Sequence, residues 1–230
     1  MNLSLVFLGV VLVVVLYYFL NSGETTVLSN KLDLSTDQVA LTKEQIPDPA
    51  SAKYSYEMWL YVYNFDGQQK YIISRDSKSG PANKNIGIKL DGAVPKLSLE
   101  YTGTTTGTGT TTGTTKAVPI TDNFPLQTWV HLIVSVDGTF IDIYMNGKLV
   151  KSINDPTIEK PSDVSVINYG KLSCYLAKLS KTSTPTDPQT AWDKYSAGNG
   201  ENPMSKYLSS FGLSMTLKKN NQDYSNIKLF

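Results

Sequence analysis

Over most of its length the chain alternates apolar and polar residues with a period of two, the period of a β-strand. The clearest stretch is Trp-Val-His-Leu-Ile-Val-Ser-Val from Trp129, then Asp137-Gly138, then Thr-Phe-Ile-Asp-Ile-Tyr-Met, then Asn146-Gly147, then Lys-Leu-Val-Lys-Ser-Ile. Asp-Gly and Asn-Gly tolerate positive φ at both centre positions of a tight turn, so they predict two hairpins. With Asp137 and Gly138 as the first loop, Val136 pairs with Thr139, Val134 with Ile141, Leu132 with Ile143 and Val130 with Met145. The second turn sets Val150 opposite Ile143. Because side chains alternate across a strand, these residues share one face, which is predicted to be core. The other face carries Trp129, His131, Ile133, Phe140, Tyr144 and Leu149 beside Asp142 and Lys151. It is too apolar to stand free in water, and a chain segment or a partner is expected to cover part of it.

The same reading predicts a central strand at Tyr54-Ser-Tyr-Glu-Met-Trp-Leu-Tyr-Val-Tyr63, with Tyr54, Tyr56, Met58, Leu60 and Val62 on one face. Further strands are expected at Ile86-Gly-Ile-Lys-Leu90, Leu97-Ser-Leu-Glu-Tyr101, Val164-Ser-Val-Ile167 and from Leu172 to Leu179. Leu213-Ser-Met-Thr-Leu217 would return a last strand to the sandwich. Thr102 to Thr115 contains only threonine and glycine, and is expected to be a solvated loop. One short helix is predicted: Asp187 as N-cap, Pro188 at the first helical position and Gly198 past its end. Trp192 and Tyr195 fall on one side of it and are expected to lie on the outer face of the sheet.

The run from Leu3 to Leu20 changes the picture. It is apolar apart from Ser4, Gly9 and a tyrosine pair, and a membrane-spanning helix needs roughly 20 such residues. Tyr17 and Tyr18 would sit at the interface. A basic N-terminal region and an Ala-x-Ala cleavage site are both missing, so an uncleaved anchor is expected rather than a signal peptide. Lys31 and Lys43 follow the span and no Lys or Arg precedes it, which places the large domain on the cytoplasmic side. The one Asn-x-Ser/Thr sequon, at Asn2, lies against the anchor, which agrees. The expected organisation is residues 1–22 anchor, 23–50 tether with short strands at Thr26-Val-Leu28 and Leu32-Asp-Leu34, 51–182 sandwich, and 183–230 a helix and strand packing on it.

Formal net charge is +1 with 18% charged residues, and no basic stripe concentrates; nucleic acid is excluded as a partner. Cys174 is the one cysteine, so no intrachain disulfide forms. It alternates with Leu172 and Leu176 and reads as a small core residue.

Trp129-Val-His131, Asp137-Gly138 and Ile143-Tyr-Met-Asn-Gly-Lys-Leu-Val150, with Tyr54 to Val62 and Ile72-Ile-Ser-Arg75 upstream, resemble the central strands of laminin-G-like, concanavalin-A-like domains. The resemblance implies an all-β antiparallel sandwich, or jelly roll, here with an N-terminal transmembrane helix and a short C-terminal helix. Adding the anchor, the tether, Phe124-Pro-Leu-Gln-Thr-Trp-Val130, Asp187-Pro-Gln-Thr190 with Trp192 and Tyr195, and Gly198-Asn-Gly200, the chain is similar to membrane-anchored laminin-G-like virion proteins of nucleocytoplasmic large DNA viruses. That likeness implies a minor capsid protein between an internal membrane and the capsid shell. Its partners would be the lipid bilayer, through Leu3 to Leu20, and other virion proteins.

The chemistry expected of such a chain is slight. A glycoside hydrolase needs two carboxylates roughly 5 to 9 Å apart, and the Glu-x-Asp-x-Glu run of the fold's hydrolase branch is missing. Glu57, Glu100 and Asp142 read as solvent-side or strand-end carboxylates, with Asp142 opposite Ile133. His131, the one histidine, is expected opposite Tyr144 as a packed sheet residue. No enzyme and no cofactor are expected. Asp66, Asp76 and Asp91 lie near turns, where a calcium ion could be held, but turn formation is their default role. Trp59, Trp129 and Trp192 could stack on sugars, and are read first as core, strand start and helix anchor. The expectation is a non-enzymatic membrane-anchored structural protein; the alternative is a tethered glycan- or receptor-binding module.

Overall fold

A computed structural model describes residues 9, 11–13, 25–78, 80–92, 94–106, 111–162, 166–199, 214–219 and 222–228. Two antiparallel sheets form a sandwich. One has the order β1 (Thr25–Asp33), β11 (Cys174–Thr182), β2 (Lys53–Val62), β7 (Val130–Asp137), β8 (Phe140–Met145), β9 (Lys148–Asn154). The other runs β10 (Ile167–Tyr169), β3 (Lys70–Ser77), β4 (Gly80–Asp91), β5 (Lys96–Thr106), β6 (Thr111–Thr121). Their inner faces share one core, in which Met58, Leu60, Val134 and Ile143 meet Ile73, Ile88 and Leu99. β2 lies between β11 and β7, as its two-sided apolar pattern predicts.

Of the expected core face of β7 and β8, Val130, Leu132, Val134, Val136, Ile141 and Ile143 belong to the core, Met145 is partly buried against it, and Thr139 in the turn is exposed. Register differs from the expectation by two residues, which preserves the faces. Asp137 pairs with Phe140, Val136 with Ile141, Val134 with Ile143 and Leu132 with Met145. The reason is the turn. Gly138 (φ +64) is its first central residue and Thr139 its second, the glycine placement of a type II′ turn. At the second hairpin Asn146 (φ 51) and Gly147 (φ 74) both take positive φ, as a type I′ turn requires. A bulge between Ile143 and Tyr144 then puts Lys151, not Val150, opposite Ile143, and Val150 is exposed.

Three further expectations are corrected. The threonine-glycine tract is not a loop where it is described: Thr102 pairs with Thr115, Thr104 with Gly113 and Thr106 with Thr111. Threonine is β-branched and suits a pleated strand even without apolar neighbours. Residues 23–50, expected to be a tether with short strands, join the sandwich from Thr25; the expected strands at Thr26–Leu28 and Leu32–Leu34 fall in β1 or at its end. β1 pairs with β11, and Leu34, Leu41 and Ile46 are buried in the core. The carbonyls of the Ile46-Pro-Asp-Pro49 stretch receive two buried cations. Lys181 donates to Pro47 O at 2.7 Å and Asp48 O at 3.3 Å, while Arg75 donates to Pro49 O and, at 2.8 Å, to Ser162 O. Last, β12 (Ser214–Lys219) pairs with β13 (Gln222–Lys228) in a separate two-stranded sheet rather than with either large one. Residues 197–230 are a unit apart from residues 1–196.

Among the described residues no helix is long and apolar enough to cross a membrane. Of the run from Leu3 to Leu20, Gly9 and Val11, Leu12 and Val13 are helical and exposed; the remainder lies outside the described residues.

Candidate functional site

The outer face of the six-stranded sheet is where unusual side chains collect, and it has two halves. Helix α1 (Pro188–Ser196) covers one half. Asp187 caps it, its Oδ1 accepting from the backbone N–H of Gln189 (2.9 Å) and Thr190 (3.0 Å), and Gly198 (φ +77) follows its end. The approach to the helix is tied down at Thr186. Its N–H donates to Ser135 Oγ at 2.8 Å, and its carbonyl accepts from Tyr144 Oη at 3.1 Å. Ala191 then packs on Ile133 and Tyr144. Tyr195 stacks on Trp59 with ring centroids 5.8 Å apart and planes 17° apart. Of the two rings expected on this face, Tyr195 lies on it, while Trp192 is 47% exposed beside Gly147 of the second turn.

Beneath α1 lies a charged cluster that the sequence reading missed. Glu57 projects from β2 and is 3% exposed. Its Oε1 is 3.3 Å from His131 Nε2 and 3.6 Å from Lys178 Nζ, and its Oε2 is 3.2 Å from Lys194 Nζ. Burial alone would raise the pKa of this carboxyl. The His131 hydrogen bond and the charges of Lys194 and Lys178 prevail and hold it at about 2. Each partner comes from a different element: His131 from β7, Lys194 from α1, and Lys178 from a bulge in β11, where it takes φ 52. Glu57 was expected on the solvent side; as a lone carboxylate in an aromatic strand its sequence context gave that reading. The available signal was Lys194, one turn past Thr190, on the helix predicted to cover it. The register change puts Ile133, not His131, opposite Tyr144, and on its other side His131 pairs with Trp59 of β2. Its backbone is locked to the second turn: its N–H donates to Asn146 Oδ1 at 2.9 Å and its carbonyl accepts from Asn146 N at 2.8 Å.

The other half of the face is open. Trp129, Tyr61, Tyr175 and Tyr63 form a row of half-buried rings across β7, β2 and β11, with successive centroids 5.4, 6.2 and 5.0 Å apart. Lys31 Nζ stands 5.7 Å above the Tyr175 ring, and Tyr63 Oη donates to Asp33 Oδ1 at 3.4 Å. The row thus offers flat apolar rings edged by one cation and one carboxylate.

The remaining predicted site residues are dispersed. Asp66 pairs with Lys70, Asp76 with Lys84 at 2.8 Å and Asp91 with Lys89 at 3.4 Å. Among the described residues no three His, Cys, Asp or Glu side chains gather to hold a metal. Glu100 lies within β5, 2.9 Å from Lys89, and Asp142 pairs with Ser135 and Ser152 rather than with Ile133. Trp59 is buried and Trp192 is 47% exposed at the helix surface. Cys174 is a buried core thiol, pushed up to about 12 by that burial.

A family model described as the concanavalin A-like lectin/glucanases superfamily, Laminin_G_3, matches residues 33–173. A comparison with curated proteins finds no match. Among solved structures the receptor binding domain of botulinum neurotoxin D is similar, at TM-score 0.55 and 11% identity over 77% of this chain and 46% of that one. The binding domain of Paraclostridial Mosquitocidal Protein 1 follows at 0.52 and 11%, over 77% and 48%. Trypanosoma rangeli sialidase matches at 0.51 and 9%, over 65% and 24%. The chain spans less than half the length of each of these structures, and at such identity the likeness is one of fold.

Proposed function

This chain belongs to the concanavalin A-like lectin/glucanase superfamily, and within it we propose a non-enzymatic role as a membrane-anchored docking protein. The observation that carries the proposal is the division of the outer face. The Glu57 cluster is spent on seating α1, and the aromatic row beside it is left half-exposed. Glu57, held ionised and covered, has no proton to give at neutral pH, so it serves as a fastener rather than a general acid. Half-exposed tyrosine and tryptophan rings with polar edges are the side chains that anchor protein interfaces.

In this reading the run from Leu3 to Leu20 fixes the chain in a bilayer and the aromatic row grips a neighbouring protein. The likeness of the sequence to virion proteins supports a place between an internal membrane and a capsid shell. A second reading keeps the same surface and exchanges the partner. The rings would stack on a glycan or receptor, and the similar domain of botulinum neurotoxin D is a receptor binding domain. The double variant Tyr61→Ala with Tyr175→Ala decides whether the row is used. It should leave the fold and membrane retention intact and release the protein's neighbours from detergent-extracted particles. Neighbours retained at the wild-type level would count against the row, and glycan-array binding lost in the variant would favour the second reading.

A further inference from the structure

The sandwich has four sheet edges, β1, β9, β10 and β6. A free edge invites another strand, and proteins blunt it with charge, proline, bulges or shortness. β1 carries Lys31 and a bulge between Val27 and Ser29. β9 carries Lys148 and Lys151 and lies against the bulge at Ile143 and Tyr144. β10 is three residues long. β6 is 11 residues long, and its first five, Thr111-Thr-Gly-Thr-Thr115, contain no charge and no proline. Its pairing with β5 runs without a register shift from Thr106↔Thr111 to Ser98↔Pro119. The first charge along it, Lys116, turns its ammonium to Asp155 Oδ2 at 2.6 Å and Thr157 Oγ1 at 3.0 Å.

The opposite side of this arm is already filled. Past Tyr101, β5 has left β4, and residues 155–159 take the vacant place. Thr104 N donates to Thr157 O at 2.6 Å, Glu159 N to Thr102 O at 2.9 Å, and Gly103 bridges to Ile158. Gly103 makes the close approach possible, since a Cβ there would lie 2.7 Å from Thr157 Oγ1. Asp155 fastens that segment by accepting from Tyr101 Oη at 2.9 Å and Thr157 N at 2.9 Å. Among the described residues, this backed, in-register arm presents an unpaired ladder on β6.

We propose that this ladder is a self-association seam: a second copy of the chain adds its own β6 antiparallel across a two-fold axis, joining two five-stranded sheets into one. A two-fold antiparallel seam sets a strand against its own sequence, so a charge at or beside the axis meets its like. The lysines of β9 forbid that; the threonines of β6 favour it, since Thr–Thr pairs across strands are stabilising. Thr112 and Thr114 are exposed on one face of the strand for such pairs, while Thr115 Oγ1 donates to Asn83 Oδ1 at 3.0 Å.

The test uses the full chain in detergent. Sedimentation should give twice the monomer's protein mass, and Thr112→Lys with Thr114→Lys should halve it while circular dichroism stays unchanged. Single cysteines are then placed at each position from 111 to 115, with the buried Cys174 silent. Oxidation should yield a linked dimer at the one or two positions beside the axis, because only directly opposed Cβ atoms come within disulfide reach. A monomeric wild type, a dimer indifferent to the lysines, or linkage equal at all five positions would each overturn the seam.

Discussion

At Glu57 one carboxylate meets two lysines and a histidine under a helix, and the energetics follow from removing it. Glu57→Gln keeps the shape and removes the buried carboxylate that Lys178, Lys194 and His131 meet. The expected loss is roughly 2 kcal/mol in urea unfolding, below the ~3–5 kcal/mol of a fully buried pair because the Lys178 side chain is 31% exposed. The carboxyl titrates near 2 when folded against an ordinary 4.5, so its contribution is complete above pH 4.5 and is lost as pH falls toward 2. The acid limb of the stability curve should therefore flatten in the variant. Lys181 runs the other way. Burial first, and then the nearby Arg75 charge, lower its pKa from 10.5 to about 8. The folded state sheds this proton before the unfolded chain does, so stability gains from Lys181 as pH rises from 8 to 10.5. Unfolding of Lys181→Met at pH 7 and pH 10 should lack that gain.

Among the elements, α1 and the second β-hairpin are one assembly. Gly147 holds φ +74, and a Cβ there would stand 3.0 Å from Trp192 Cε3 and 3.0 Å from Tyr195 Cβ. Gly138 holds φ +64 with open space around it. Gly138→Ala should thus cost about 1 kcal/mol for backbone strain alone. Gly147→Ala should cost about twice that and change the tryptophan fluorescence, since the helix must lift; equal losses would refute the contact. The hairpins, the core face and the helix with its cap were legible because each is written in adjacent residues: Asn146-Gly147, the Val130-to-Ile143 alternation, Asp187-Pro188. The register of β7 and β8 was not, since Asp-Gly fits either centre of a turn and only the closed sheet chooses. The Glu57 cluster was hidden for another reason. Its four side chains come from four elements, and the bulge that turns Lys178 inward leaves no pattern in sequence. The threonine-glycine arm was misread because its support, residues 155–159, lies half the domain away.

In the whole molecule the two-sheet body carries, as proposed, an anchor at one end and a gripping face on its outer sheet. An anchored chain should stay in the pellet through alkaline carbonate and leave it with detergent, and deletion of residues 3–20 should free a folded sandwich into the supernatant. Carbonate release of the full chain would remove the anchor from the account. The proposed gripping face is tested directly by photo-cross-linking of the intact protein in its native assembly, with the photoreactive side chain placed at Tyr61 and, as control, at exposed Val94 on the β4–β5 turn. A protein adduct from Tyr61 with none from Val94 is the predicted result. Adducts from Val94 alone, or from neither position, would contradict a docking protein that grips through this face.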